Sequence, residues 1–164
     1  MDITAAVPPF GVRPATSPDR DWLRDLHKAA YAVLSGELYD ERAAAWERGF
    51  FTARTAHPID VHIISEDGTD VGAIYLERRP DGVFIESLEI HPDHQGQGAG
   101  SAAIEWTVAE SAKADLPVTL QVHKANLRAR ALYERQGFSP VGETATHVVM
   151  QSRSPRDGQE DDDE

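Results

Sequence analysis

The stretch Ile90-His91-Pro92-Asp93-His94-Gln95-Gly96-Gln97-Gly98-Ala99-Gly100-Ser101 constrains this chain more than any other. A strand-like run, Val83 to Ile90, leads into it, and a helix-like run, Ala102 to Ala114, leads out. Glycine reaches backbone conformations closed to other residues and lets the main chain come close to a ligand. Free N–H groups at a helix start point at such a ligand, and the helix dipole favours negative charge there. A glycine-rich turn in this position reads as a phosphate site.

Two common phosphate patterns do not fit. The Walker pattern requires a lysine and then Ser or Thr directly after its second glycine, and no lysine follows these glycines. The dinucleotide pattern requires a third glycine three positions after the second, where Ser101 stands. That fold also carries its glycines on the first strand–helix turn, whereas these lie past the middle of the chain. The spacing present is Gln-x-x-Gly-x-Gly, at Gln95, Gly98 and Gly100.

The flanking sequence supplies one domain. A chain of 164 residues is long enough to bury a real core. Phe10 to Pro14 reads as a short first strand. Ser17-Pro18-Asp19 reads as a helix start, with Ser17 as cap and Pro18 in the first turn. Trp22, Leu23, Leu26, Ala29, Ala30 and Val33 recur at helical spacing up to Gly36, and a second helix is expected from about Tyr39 to Thr55. Strands follow over Ile59–Ser65 and Val71–Glu77, joined by the hairpin signal Asp67-Gly68. After the glycine stretch, Ile104, Val108 and Ala112 form the apolar stripe of a helix. Val118–His123 is a strand, Asn126–Gln136 a short helix stopped by Gly137, and Phe138–Val141 and Thr146–Met150 a closing antiparallel pair. The organisation expected is a flexible stretch at 1–9, an α/β three-layer domain over 10–151 with a mixed central sheet, and a disordered acidic tail over 152–164. Val83–Ile90 and Val118–His123, joined through a helix, are expected to be parallel neighbours.

The glycine spacing, with the preceding Leu88-x-Ile90-x-Pro92, resembles the acyl-CoA pyrophosphate loop of the GNAT superfamily of N-acetyltransferases. A second segment resembles the family's Asn-x-x-Ala-x-x-Leu-Tyr-x-x-x-Gly-Phe, matched at Asn126, Ala129, Leu132, Tyr133, Gly137 and Phe138. The resemblance covers roughly Phe10 to Met150. It implies acetyl-CoA as co-substrate, bound by Leu88, Ile90, Gln95, Gly96, Gln97, Gly98, Ala99, Gly100, Ser101, Asn126 and Tyr133, between two strands that splay apart. It implies that the Tyr133 hydroxyl protonates the leaving thiolate, and that the Ile90 N–H stabilises the oxyanion on the acetyl group.

The chemistry asks for a proton donor and a proton acceptor. A thiol like that of CoA has a pKa of about 8.5 and a tyrosine about 10, so Tyr133 donates best at the moment of C–S cleavage. Taken alone, Tyr133 reads better as a core tyrosine of an amphipathic helix, and its pairing with the upstream loop at the expected order and distance reverses that balance. An amine with a pKa of about 10.4 is almost wholly protonated at neutral pH and must lose a proton before attack. Glu86, Glu89, His123 and His147 are candidates for that proton, with Glu86 and His147 put forward as catalytic. Glu86 is expected on a strand face with Phe84, Leu88 and Ile90, and its alternative is a salt bridge to Arg78 or Arg79 or exposure at the strand end. His147, in Thr146-His147-Val148-Val149-Met150, resembles a His-x-x-Met element near the acceptor pocket of some members. Lys124, Arg128 and Arg130 either reach the nucleotide phosphates or solvate a helix face. Trp46, Phe50 and Phe51 either contribute to the acceptor site, as the resemblance implies, or pack the core.

Composition bounds the rest. There are no cysteines, which excludes a cysteine nucleophile, thiolate metal sites and disulfides, and suits a cytoplasmic setting. No histidine spacing suggests a metal site, and none is expected. The net charge of −12 argues against nucleic acid as partner. No apolar run approaches the length of a membrane span. The expectation is therefore direct acetyl transfer, in a ternary complex, to a primary amine of a small molecule or peptide, by a monomer or homodimer. The alternative is a non-catalytic acyl-CoA-binding regulatory module.

Overall fold

The computed structural model describes residues 8–35 and 59–153. The expected helix at 39–55 with Trp46, Phe50 and Phe51, the first seven residues, and the tail from 154 lie outside the described residues.

β1 (Phe10–Pro14) is followed by a single 3₁₀ turn, Ser17–Asp19, that runs into α1 (Arg20–Ser35). The cap is Thr16, one residue before the expected Ser17: its N–H and hydroxyl both reach Asp19 Oδ2, at 2.8 and 3.1 Å. Asp19 also takes Arg13 at 2.9 Å, which with the Thr16 bonds holds its carboxyl down at about 2.

β2 (Ile59–Glu66), β3 (Thr69–Arg79) and β4 (Gly82–Ile90) continue an antiparallel sheet from β1. The β2–β3 turn is the Asp67-Gly68 pair, both at positive φ, as a two-residue hairpin requires. α2 (Ala99–Ala112) follows the glycine stretch and β5 (Val118–His123) returns parallel to β4. α3 (Leu127–Arg135), β6 (Phe138–Glu143) and β7 (His147–Ser152) complete the chain. The sheet order is β1-β2-β3-β4-β5-β7-β6, so β7 slots between β5 and the edge strand β6.

Strand alternation separates two cores. On one face Ile64, Ile74, Ile85, Leu120, Val122 and Met150 pack with Ala103 and Ile104 of α2, and Ala129 and Tyr133 of α3 lean on them. On the other, Leu23 and Leu26 of α1 cover Ile63, Ala73 and Tyr75. The fold is therefore three-layered: α1, sheet, then α2 with α3.

Two boundaries moved for physical reasons. α2 begins at Ala99 instead of Ala102, inside the glycine stretch, and its buried face is Ala99, Ala103, Thr107 and Ser111 with Ala102 and Ile104. Val108 is only half-buried, because small residues let the helix lie close on the sheet. β7 runs to Ser152, past the expected edge at 151. Ser152 is buried, and its Oγ accepts the Val118 N–H at 2.8 Å.

Candidate active site

β4 and β5 pair only at Val83–Val118 and Phe84–Thr119, after which they part. The divergence begins at a bulge: Ile85 pairs with Leu76 and Ser87 with Tyr75, so Glu86 is left without a partner. One extra residue flips the alternation. Val83 and Ile85 below the bulge, and Leu88 and Ile90 above it, all join the α2 core. The expectation that Glu86 shares a face with Phe84, Leu88 and Ile90 is thus overturned. Glu86 is exposed at the bulge. Its expected arginines are engaged elsewhere: Arg78 with Asp60 at 2.7 Å, and Arg79 with Glu77 at 3.3 Å and over the Phe84 ring.

The parting leaves a slot with backbone walls. His91 N–H donates to Val71 O at 2.8 Å, so Gly72 and Ile90 form a non-hydrogen-bonded pair across β3 and β4. The N–H and C=O of Ile90 therefore turn toward β5, and the two-residue period does the same for Leu88. Gln95 Nε2 donates to Ile90 O at 3.0 Å and closes the top of the slot.

The glycine stretch arches over that top. A 3₁₀ turn at Pro92–His94 is pinned by Asp93 N–H donating to His91 Nδ1 at 3.1 Å, which gives His91 a structural task. Gly96 and Gly98 then sit at φ 76° and 94°, the left-handed region where glycine alone is at ease. Gly98 caps α2 with no side-chain hydrogen bond, leaving the first-turn N–H groups of Ala99, Gly100 and Ser101 without an internal partner. Gly100 backs onto the Leu88 and Ile90 side chains, and the Phe10 ring lies behind Gly98. No Lys or Arg stands between Ile90 and Ser101, so this stretch offers backbone dipoles and no cationic side chain.

α3 flanks the slot. Asn126 caps it, accepting the Ala129 N–H at 3.1 Å, and Gln136 at its end donates to Ser101 O at 3.1 Å. The two helices that border the slot are thereby tied together. Tyr133 is half-buried with its ring against Phe138, and burial pushes its phenol above the usual range. Among the described residues its hydroxyl makes no hydrogen bond. Arg130 pairs with Glu134 and Lys124 with Glu143, while Arg128 makes no ion pair among the described residues.

The opposite face of the sheet, under α1, carries the other titratable groups. His27 Nδ1 and Glu89 Oε1 lie 2.6 Å apart, both buried. Glu89 was one of four candidate bases; His27 was not singled out, although it stands at i+4 from Leu23 on the helix's buried stripe. Across the slot, His123 and His147 pair between β5 and β7 with rings 5.2 Å apart. His123 Nδ1 accepts the Ala125 N–H at 3.1 Å and His147 Nδ1 lies 2.7 Å from Thr146 Oγ1. Among the described residues no cluster of three His, Asp or Glu could hold a metal ion.

No curated protein matches the sequence. Solved structures do match in fold. PaiA N-acetyltransferase from Thermoplasma acidophilum, in complex with coenzyme A, is 18% identical with a TM-score of 0.67, covering 88% of this chain and 98% of that one. The ribosomal-protein-S18-alanine N-acetyltransferase of Escherichia coli is 19% identical with a TM-score of 0.68, covering 87% and 92%. A chimeric spermidine N-acetyltransferase of Vibrio cholerae SpeG and hSSAT is 19% identical with a TM-score of 0.67, covering 88% and 95%. The family model described as Acetyltransferase (GNAT) family matches residues 20–138, which take in the slot, its glycine arch and Tyr133. By that match, with the parted strands and the uncapped helix to account for it, this chain belongs to the GNAT acetyltransferase family.

Proposed function

We propose that the protein transfers an acetyl group from acetyl-CoA directly to a primary amine of a small molecule or peptide, within a ternary complex. The observation that carries this is the parting of β4 from β5 directly beneath the uncapped start of α2. An elongated thioester ending in a diphosphate matches both features. The N–H groups from Gly96 to Ser101 receive the diphosphate, and the inward-turned amides of Leu88 and Ile90 line the slot for the extended arm.

Acetyl-CoA supplies an activated carbonyl and a thiolate leaving group. The chain supplies the rest. Ile90 N–H donates to the carbonyl oxygen as negative charge builds there. Tyr133, kept neutral by burial, gives its proton to the sulfur as the C–S bond breaks. Glu86 and His147 both reach water and can relay to solvent a proton that the amine has already released. Similar structures are named for a spermidine acceptor and for a ribosomal-protein alanine acceptor, and an acceptor amine of either kind suits this reading.

Calorimetry with acetyl-CoA, followed by free-CoA release against a panel of polyamines, aminoglycosides and peptide amines, tests the proposal. Binding with amine-dependent CoA release is expected. Binding without release from any amine supports a non-catalytic acyl-CoA module instead, and no binding removes both.

A further inference from the structure

We infer that Glu89, held by His27, is the group that receives the proton of the acceptor ammonium. The inference rests on the acetyl-transfer reading and deepens it at the acceptor side.

Glu89 is 3% exposed and His27 4%, and they are the only acid and base side chains among the buried residues described. Glu89 Oε1 takes His27 Nδ1 at 2.6 Å, while Oε2 is buried and has no partner among the described residues. A carboxylate oxygen removed from water without a donor is costly, and such groups persist where a ligand supplies the donor. Nothing in the strand demands an acid here. Its neighbours on the same face are Ser87, Ala73 and Tyr75.

Position adds the second argument. The diphosphate loop, α2 and Tyr133 all lie on one face of the sheet. With the thioester entering from that face, the amine has to approach the slot from the other, the α1 face. Glu89 is the strand residue between Leu88 and Ile90, one step of about 3.4 Å from the amide that faces the slot. The bulge at Glu86 sets this: it turns the Glu89 side chain to the α1 face and leaves Glu86 in water.

The step balances simply. The ammonium gives one proton to Glu89 Oε2 and becomes a neutral amine. Its lone pair forms the C–N bond, the C–S pair leaves on sulfur, and Tyr133 protonates that sulfur. His27 keeps the carboxyl oriented with Oε1 occupied, so Oε2 is the open position. Among the described residues the ionisable groups on this face, besides the pair, include Tyr75 and Glu77 of β3 with Arg79 beside Glu77, Arg13 of β1 with Asp19 and Asp70, Arg24 at the flank of α1, and His123 and His147 beyond the slot.

The test compares Glu89→Gln with wild type on two amines of similar size: one protonated at neutral pH, and one of low pKa already neutral there, such as an O-alkyl hydroxylamine. We expect a kcat loss of about 100-fold or more on the first. The second should lose tenfold less, with acetyl-CoA affinity by calorimetry unchanged within twofold. His27→Asn should show the same split more weakly, and serves if Glu89→Gln fails to bind acetyl-CoA. Equal losses on both amines, or no loss, overturn the dyad while leaving acetyl transfer standing. No CoA release by wild type with either amine overturns the acetyl-transfer reading itself, and the dyad with it.

Discussion

At the residue scale the site depends on where single protons rest. Tyr133 has a phenol pushed upward by burial, so it stays protonated well into alkaline solution and remains a donor. Tyr133→Phe removes only the hydroxyl and keeps the ring against Phe138. It should lower kcat by about 10²-fold, with the acetyl-CoA dissociation constant within about twofold by calorimetry. Unchanged turnover would make Tyr133 a packing residue. His62 titrates for a different reason. It lies against Trp106 with ring centroids 4.8 Å apart, its Nδ1 is buried without a partner among the described residues, and burial lowers its pKa against the opposing pull of Asp60 and Glu110. A histidine whose folded pKa is depressed adds stability above its unfolded value of about 6.5, and that stability is lost as pH falls below it. The melting temperature should therefore drop between pH 7 and pH 5. His62→Phe, which keeps the ring contact without the charge, should show a shallower drop by calorimetric scanning. The place of Tyr133 on the short helix before Gly137 was legible in the sequence, because its spacing from Asn126 and Gly137 is a long, specific pattern. The His27–Glu89 pair was not, because neither residue has a local motif and only the packing of α1 on β4 brings them within reach.

At the scale of elements, the chemistry is set by two backbone irregularities. One is glycine-encoded and was readable: Gly98 between a strand and a helix has one good explanation, a left-handed cap that leaves N–H groups bare. Gly98→Ala places a Cβ at φ 94°, with only the Phe10 ring near it at 3.7 Å. The strain alone is about 1–2 kcal/mol. If the loop relaxes to relieve it, acetyl-CoA affinity should fall by about tenfold. Gly68→Ala, at φ 82° in the β2–β3 hairpin, carries similar strain and should leave affinity untouched, so calorimetry on the pair separates loop geometry from general destabilisation. The other irregularity, the bulge at Glu86, had no sequence signal. Val83 to Ile90 reads as one alternating strand, and no glycine or proline marks the extra residue. That single unread residue assigned Glu86, Leu88 and Ile90 to one face, when β4 in fact changes parity midway.

At the scale of the whole molecule, charge opposes the ligand. The chain carries a net charge of −12, and its glycine stretch from Ile90 to Ser101 has no lysine or arginine. In the proposed reading attraction comes from amide dipoles a few ångströms away, while repulsion comes from carboxylates spread over the chain. Salt screens charges farther apart than a Debye length, about 10 Å at 0.1 M, far more than it screens close contacts. The acetyl-CoA association rate should therefore rise from 0.05 to 0.5 M salt in stopped-flow measurements, and a falling rate would point to a basic steering patch. The order of elements and the three-layer class followed from hydrophobic periodicity and turn residues. The placement of β7 between β5 and β6 did not, because pairing order among late strands depends on contacts that no local pattern encodes.

A sheet ordinarily has two borders, at its first and last strands. Because β4 and β5 separate after two residue pairs, this one has two further borders inside the molecule, along Leu88 to Ile90 and facing Leu120 to His123. Borders of that kind invite strand-like guests elsewhere in protein chemistry, yet here they are recessed between helices, where another polypeptide cannot easily zip onto them. In deuterium labelling the Leu88 and Ile90 amides should exchange fast in the empty protein, unlike their β3-bonded neighbours Ser87 and Glu89, and should slow sharply once a slender, amide-bearing molecule fills the seam.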